Sequence, residues 1–229
     1  MKITWFGHSA FALEANNIKI LIDPFFTGNP LCGEIKDFLQ PDLILVTHDH
    51  GDHIGDTVEI LKNGKTQVLA IADICYHLTA TGVNSKQVMF GGNGMNIGGT
   101  VRFGDFSITM THAIHSSIHG TPAGFIIQDP SGFTVYHAGD TALFSDMALL
   151  AERFSIDLAL LPIGGHFTMD AFDAAKACYY LEAKQVIPMH YKTFPVLCQD
   201  TVEFKNFIAE FSKTKVIDIN PNETIELGK

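Results

Sequence analysis

Six strand-like runs of this chain each lead into a histidine or an aspartate, and that repeated ending constrains the fold more than any other feature. Ile18–Ile22 runs into Asp23, and Asp42–Thr47 runs into His48-Asp49-His50-Gly51-Asp52-His53. Ser107–Thr111 leads to His112 and His115, and Phe133–Tyr136 leads to His137 and Asp140. Ile156–Leu161 leads to Gly164-Gly165-His166, and Gln185–Pro188 leads to Met189-His190. A short continuous apolar run suits a strand buried on both faces. Polar groups gathered where such strands end are held rigidly by the sheet while the loops shape their surroundings.

The remaining pattern alternates strands with helices. Ile3–Phe6 and Ala10–Leu13 read as strands around a turn at Gly7-His8-Ser9, and residues 66–71 read as a further buried strand. Residues 55–62, 73–80, 142–153, 171–183 and 200–212 read as helices, the fourth capped by Thr168 or Asp170. The Gly-rich stretch 88–111 predicts paired strands, and Pro130-Ser131-Gly132 marks a hairpin between 125–128 and 133–137. Residues 215–219 and 224–227 close the fold. Strand-rich halves carrying helices suit a single α+β domain over 1–229, a four-layer αββα sandwich, although an ordinary α/β fold satisfies the same order.

The net charge of -10 gives no broad nucleic-acid-binding face. Neither a leader peptide nor an apolar run long enough for a membrane span is evident, and the four cysteines form no CxxC pair. Reduced thiols in a cytoplasmic protein are the expectation. The eleven histidines matter through their clustering. Imidazole nitrogens and carboxylate oxygens suit zinc, manganese, nickel or iron. In the pattern His48-x-His50-x-Asp52-His53, four such groups within six residues are too close to serve one ion together. His48 and His50 can face one ion, while Asp52 and His53 turn toward a second. The helical HExxH spacing of one protease class is absent.

The ordered set resembles the metallo-β-lactamase superfamily, whose signature HxHxDH is matched by His48-Asp49-His50-Gly51-Asp52-His53. The likeness continues through Asp23 in Leu-Ile-Asp-Pro, His115 in Thr-His-Ala-Ile-His-Ser-Ser, Asp140 in His-Ala-Gly-Asp-Thr and His190 in Pro-Met-His-Tyr. Gly7-His8-Ser9-Ala10-Phe11 and Gly165-His166-Phe167-Thr168-Met169 are similar to a group of bacterial and archaeal metal-dependent hydrolases without an assigned substrate, related to ascorbate-6-phosphate lactonase. The resemblance implies a first metal on His48, His50 and His115. It implies a second on Asp52, His53 and His190, with Asp140 bridging and Asp23 orienting a ligand histidine. His112 competes with His115 for its place. His8 and His166 are candidate pocket groups, as substrate contacts, oxyanion stabilisers or extra ligands; a turn histidine bonded to backbone is the alternative for each. His137 and His119 are weaker candidates, and His77 reads as structural or exposed.

The same resemblance implies hydrolysis of an ester, lactone or phosphoester of a small metabolite by a water activated between two divalent ions. Zinc comes first, with manganese, nickel or iron compatible. Asp52 could orient that water or take its proton, and His166 or His8 could stabilise developing charge. The rival readings are a nuclease of the tRNA 3′-processing type and a metal-binding protein without turnover. The acidic balance and the lack of an inserted RNA-binding arm disfavour the first, and the full ligand set disfavours the second. A small-molecule substrate, no membrane partner and assembly of like chains complete the expectations.

Overall fold

The computed structural model describes residues 1–228. Two mixed sheets face each other. The first has the order β13-β1-β2-β3-β4-β5 and the second β12-β11-β10-β9-β8-β7-β6. In the first, β1 (Lys2–Trp5), β2 (Phe11–Ala15) and β3 (Ile18–Ile22) form an antiparallel meander, and β4 (Leu43–Leu45) and β5 (Gln67–Leu69) continue parallel to β3. The second repeats the scheme. Strands β6 (Thr100–Phe103), β7 (Phe106–His112), β8 (Ala123–Gln128) and β9 (Thr134–His137) are antiparallel neighbours. Strands β10 (Leu158–Pro162), β11 (Gln185–Met189) and β12 (Lys215–Val216) then run parallel to β9. Strand β13 (Thr224–Glu226) crosses back to pair with β1.

This topology decides where the polar strand ends meet. Parallel β3 and β4 send Asp23 and Thr47 off the same edge of the first sheet. Strands β9, β10 and β11 do likewise for Asp140, Gly164 and His190. Because β7 and β9 each run antiparallel to β8, β7 also ends there, delivering the loop that carries His115. The two edges are joined at this rim: the Ala123 amide donates to the Thr47 carbonyl at 3.0 Å, and the His190 amide to the His8 carbonyl at 3.1 Å.

The main core lies between the sheets, where Trp5, Phe11, Leu21, Ile44, Phe106, Phe125 and Leu160 are buried together. It also takes in apolar residues of α2 (Thr57–Leu61) and α3 (Ala72–Ala80). A second cluster joins the other face of the second sheet to α4 (Met147–Arg153), α5 (Ala171–Leu181) and α6 (Val202–Phe211). The result is the four-layer αββα arrangement. Among the described residues no helix is long and apolar enough to cross a membrane.

Several boundaries differ from the sequence reading, each for a local reason. Residues 88–99 are not strand. They hold a 3-10 turn at Met89–Gly92, with Phe90 at φ 58°, and single bridges Val68–Val88 and Ile71–Met95. Helix α4 begins at Met147 rather than 142, because the Ala142 amide is held by the Ile114 carbonyl and Thr141 by the Ile114 amide. Helix α5 is capped by Asp170 and not Thr168: the Asp170 carboxylate accepts from the Asp173 amide at 2.9 Å. One helical turn, α1 (Gly51–Ile54), escapes the pattern reading because four residues show no period.

Candidate metal centre

The site starts from Asp23, which leaves β3 with φ 47° and is wholly buried. Its carboxylate accepts from the Thr47 amide at 2.8 Å, the Thr47 hydroxyl at 2.7 Å and His53 Nδ1 at 2.7 Å. Since the Thr47 hydroxyl proton goes to Asp23, Thr47 Oγ1 accepts from His48 Nδ1 at 3.1 Å. Both rings are thereby fixed in the tautomer whose bare Nε2 faces the interior. Helical turn α1 then swings Asp52 and His53 to one side while His50 stays beside His48.

Three overlapping groups of donors result. Ligand atoms of His48, His50 and His115 lie within 4.8 Å of one another, as do those of His8, Asp52, His53 and His190 and those of His48, His53 and Asp140. Asp140 sits between the first two. Its Oδ1 is 3.2 Å from His53 Nε2, and its Oδ2 is 3.0 Å from His190 Nε2 and 3.6 Å from His115 Nε2. His53 Nε2, His190 Nε2 and Asp140 Oδ1 are buried without a hydrogen-bond partner. Orphaned polar atoms of this kind are costly unless something satisfies them. A cation does so, and donors about 2.1 Å from one ion lie about 3.0–3.4 Å apart, the spacing of Asp140 from His53 and His190 and of His48 Nε2 from His50 Nδ1. The residues fit a divalent metal.

Electrostatics point the same way. Burial is the largest influence on His48 and His115 and lowers both, which keeps them neutral and able to ligate. At His53 burial also acts to lower, but the carboxylates of Asp140 and Asp23 outweigh it and raise the ring well above its ordinary value. Asp140 is held well below the usual carboxylate range, because His190 and His53 overcome the opposing effect of burial. A metal at His53 Nε2 would take the place of the proton that these carboxylates otherwise draw to the ring.

The other named residues fall on either side of the boundary. His8 belongs to the cluster: it is wholly buried at φ 54°, with Nε2 3.0 Å from Asp52 Oδ2 and Nδ1 3.0 Å from Thr193 Oγ1. Burial lowers its ring to about 4, against the raising effect of Asp52. His112 ends β7 against the Phe144 ring and does not join the cluster. His137 donates from Nε2 to the Ser9 carbonyl and accepts the Gly139 amide at Nδ1, so it ties the sheets together. His166 is exposed beside the Phe167 ring and has no hydrogen bond among the described residues.

Sequence reasoning missed Asp49, Thr47 and Thr193. Asp49 accepts from the Ser117 hydroxyl, the Ile118 and His119 amides and His119 Nδ1 at 2.6–3.0 Å, clamping the loop that carries His115. The stacked His119 and His77 rings lie behind this clamp, 3.9 Å apart. A carboxylate between two ligand histidines was the available signal for Asp49. The two threonines gave none, because single hydroxyls acquire partners only through the fold. Two glycines let the backbone close. A Cβ on Gly164 would lie 2.3 Å from the His190 carbonyl oxygen. Gly139, at φ 62°, passes 2.5 Å from the Ala123 oxygen by the same measure.

Comparison with known proteins gives the family. The family model described as "Beta-lactamase superfamily domain" matches residues 19–191. The chain is 46% identical over 230 aligned residues to a UPF0173 metal-dependent hydrolase of Nitratidesulfovibrio vulgaris strain DP4, covering 100% of this chain and 96% of that one. It is 45% identical to one from Pyrobaculum islandicum, covering 99% of this chain and 100% of the other. Among solved structures it resembles Igni18, a metallo hydrolase from the archaeon Ignicoccus hospitalis, with 40% identity, a TM-score of 0.89 and 99% of each chain covered. The chain therefore belongs to the β-lactamase superfamily and is one of its metal-dependent hydrolases.

Proposed function

We propose that the protein hydrolyses an ester, lactone or phosphoester bond of a small metabolite at a centre of two divalent metals. His48, His50 and His115 would hold the first metal and Asp52, His53 and His190 the second, with Asp140 between them. The observation that carries this reading is the Asp140 carboxylate, whose Oδ2 lies between His115 of the first group and His190 of the second while Oδ1 faces His53. Bound metals supply a Lewis acid for the electrophile and lower the pKa of water toward about 7. The chain's own residues do the rest. Asp23 and Thr47 lock the tautomers of His53 and His48, and Asp49 holds the His115 loop in register. Asp52 would orient the nucleophile or take its proton. Phe25 and Phe194 pack their edges against His8 at 5.7 and 5.4 Å, giving an apolar wall that excludes water from one side of the cluster. His166, exposed on its loop, is the candidate contact for an incoming substrate.

Elemental analysis and a substrate panel test this together. Purified protein loaded with zinc or manganese should carry two equivalents of metal and cleave nitrophenyl esters, lactones or phosphodiesters. Dialysis against a chelator should abolish turnover, and metal should restore it. Full activity in the stripped protein would refute the proposal, and so would a single bound equivalent.

A further inference from the structure

We infer that His8 is itself a ligand of the second metal, so that this ion is held by His8, Asp52, His53 and His190 together with an oxygen of Asp140; the inference rests on the two-metal reading above. Three observations converge. The first is the proton count around the ring. Thr193 has one hydroxyl proton, and its Oγ1 lies 3.2 Å from the Tyr191 carbonyl, which can only accept. In the tautomer in which Thr193 gives that proton to Tyr191, Thr193 Oγ1 accepts from His8 Nδ1 at 3.0 Å. The bare Nε2 of that tautomer faces Asp52 Oδ2 at 3.0 Å, two acceptors with nothing between them. A cation resolves that opposition. His48 is built the same way, with Nδ1 given to a threonine whose proton is spent on Asp23.

The second observation is spacing. The donor atoms of His8, Asp52, His53 and His190 fall within 4.8 Å of each other, as those of His48, His50 and His115 do. The third is the backbone. Among the residues that ring the site, His8, Asp23 and His190 carry positive φ angles of 54°, 47° and 55°, and the His190 amide donates to the His8 carbonyl at 3.1 Å. A left-handed non-glycine residue is uncommon and persists where its surroundings over-determine it. Here the strain places two imidazoles 3.9 Å apart, both wholly or almost wholly buried and converging on one spot.

The assignment changes what the second position can hold. Four side chains and a bridging carboxylate exceed the tetrahedral set that zinc usually takes, with three protein ligands at catalytic sites. They favour an ion that accepts five or six donors, such as manganese or iron.

Nuclear magnetic resonance of the intact protein tests this without a variant. The chain is labelled with the NMR-active nitrogen isotope at histidine and loaded with an NMR-active cadmium isotope. A scalar coupling from cadmium to His8 Nε2 is expected, in addition to those of His48, His50, His53, His115 and His190. A proton on His8 Nε2 and no coupling would make the residue a hydrogen-bond donor to Asp52 and overturn the inference. In parallel, His8→Ala should weaken the second equivalent of zinc, manganese or cadmium at least about 10-fold while the first is unchanged. Thr193→Val should weaken it less. Wild-type protein taking up two equivalents and His8→Ala taking up both with unaltered affinity would sink this assignment alone. Wild-type protein taking up fewer than two would sink the two-metal reading, and this inference with it.

Discussion

Asp23 shows how one carboxylate can set the chemistry of a whole rim. It fixes the backbone after β4 and the tautomers of two histidines. Asp23→Asn keeps the shape but turns an amide donor toward His53 Nδ1 or the Thr47 groups. We expect metal affinity to fall about 10- to 100-fold, as for other partners of ligand histidines, measured by competition against a chromogenic chelator. Unchanged affinity would mean that the tautomers are fixed elsewhere. Gly164 offers a steric counterpart. A methyl group there would run into the His190 carbonyl, which is backbone and cannot swing away. Gly164→Ala should destabilise the fold by about 1–3 kcal/mol in urea titration, typical of overpacking, and displace His190. Gly51→Ala is the matched control, because a Cβ there meets nothing within 4 Å. Equal losses in the two variants would contradict the steric account.

At the scale of the element, the loop after β7 depends on a residue from the loop after β4. Asp49→Ala would leave the Ser117 hydroxyl, two amides and His119 Nδ1 without their acceptor. These donors are part-buried and water can replace the carboxylate, so each bond lost costs about 0.5–1.5 kcal/mol. The expected result is faster amide hydrogen exchange over 115–119 and weaker binding at the first metal position, with exchange in β7 itself unchanged. Protection of 115–119 equal to wild type would refute the clamp. Helix α5 provides a simpler case: Asp170→Ala should cost about 1 kcal/mol and Thr168→Ala almost nothing, read from urea midpoints.

These elements also show what the sequence could and could not disclose. Apolar runs such as Leu43–Leu45 and Leu158–Pro162 announce themselves because burial on both faces leaves no room for polar residues. The histidines and aspartates at their ends were legible for the same reason. Turn α1 and the 3-10 turn at Met89–Gly92 were not, since each is too short for periodicity. The start of α4 was hidden by contacts from Ile114, distant in sequence. Asp49, Thr47 and Thr193 matter through partners from other segments, and spacing along one chain carries no trace of them.

For the molecule as a whole, the proposed ligand groups come from both sheets. His8, His48, His50, Asp52 and His53 leave the first sheet, while His115, Asp140 and His190 leave the second. Metal bound as proposed would cross-link the layers and satisfy buried donors at their seam. Ligand that binds only the folded state stabilises by about 2.7 kcal/mol at a hundredfold excess over its Kd. In a domain of this size that raises Tm by about 5–10 °C. Stripping with a chelator should lower Tm, and zinc or manganese should restore it. The gain should also depend on pH, with a definite sign. In the metal-free protein the His53 ring is raised above its ordinary value of 6.5 by Asp140 and Asp23, although burial opposes them. Its contribution to stability is therefore complete below about 6.5 and is lost as pH rises through the folded value. A metal requires the same ring unprotonated, so protons and metal compete for it. The difference in Tm between loaded and stripped protein should grow from pH 6 to pH 8 (about the range over which an imidazole titrates). Calorimetry that found the difference constant or shrinking would show that His53 does not exchange its proton for the ion.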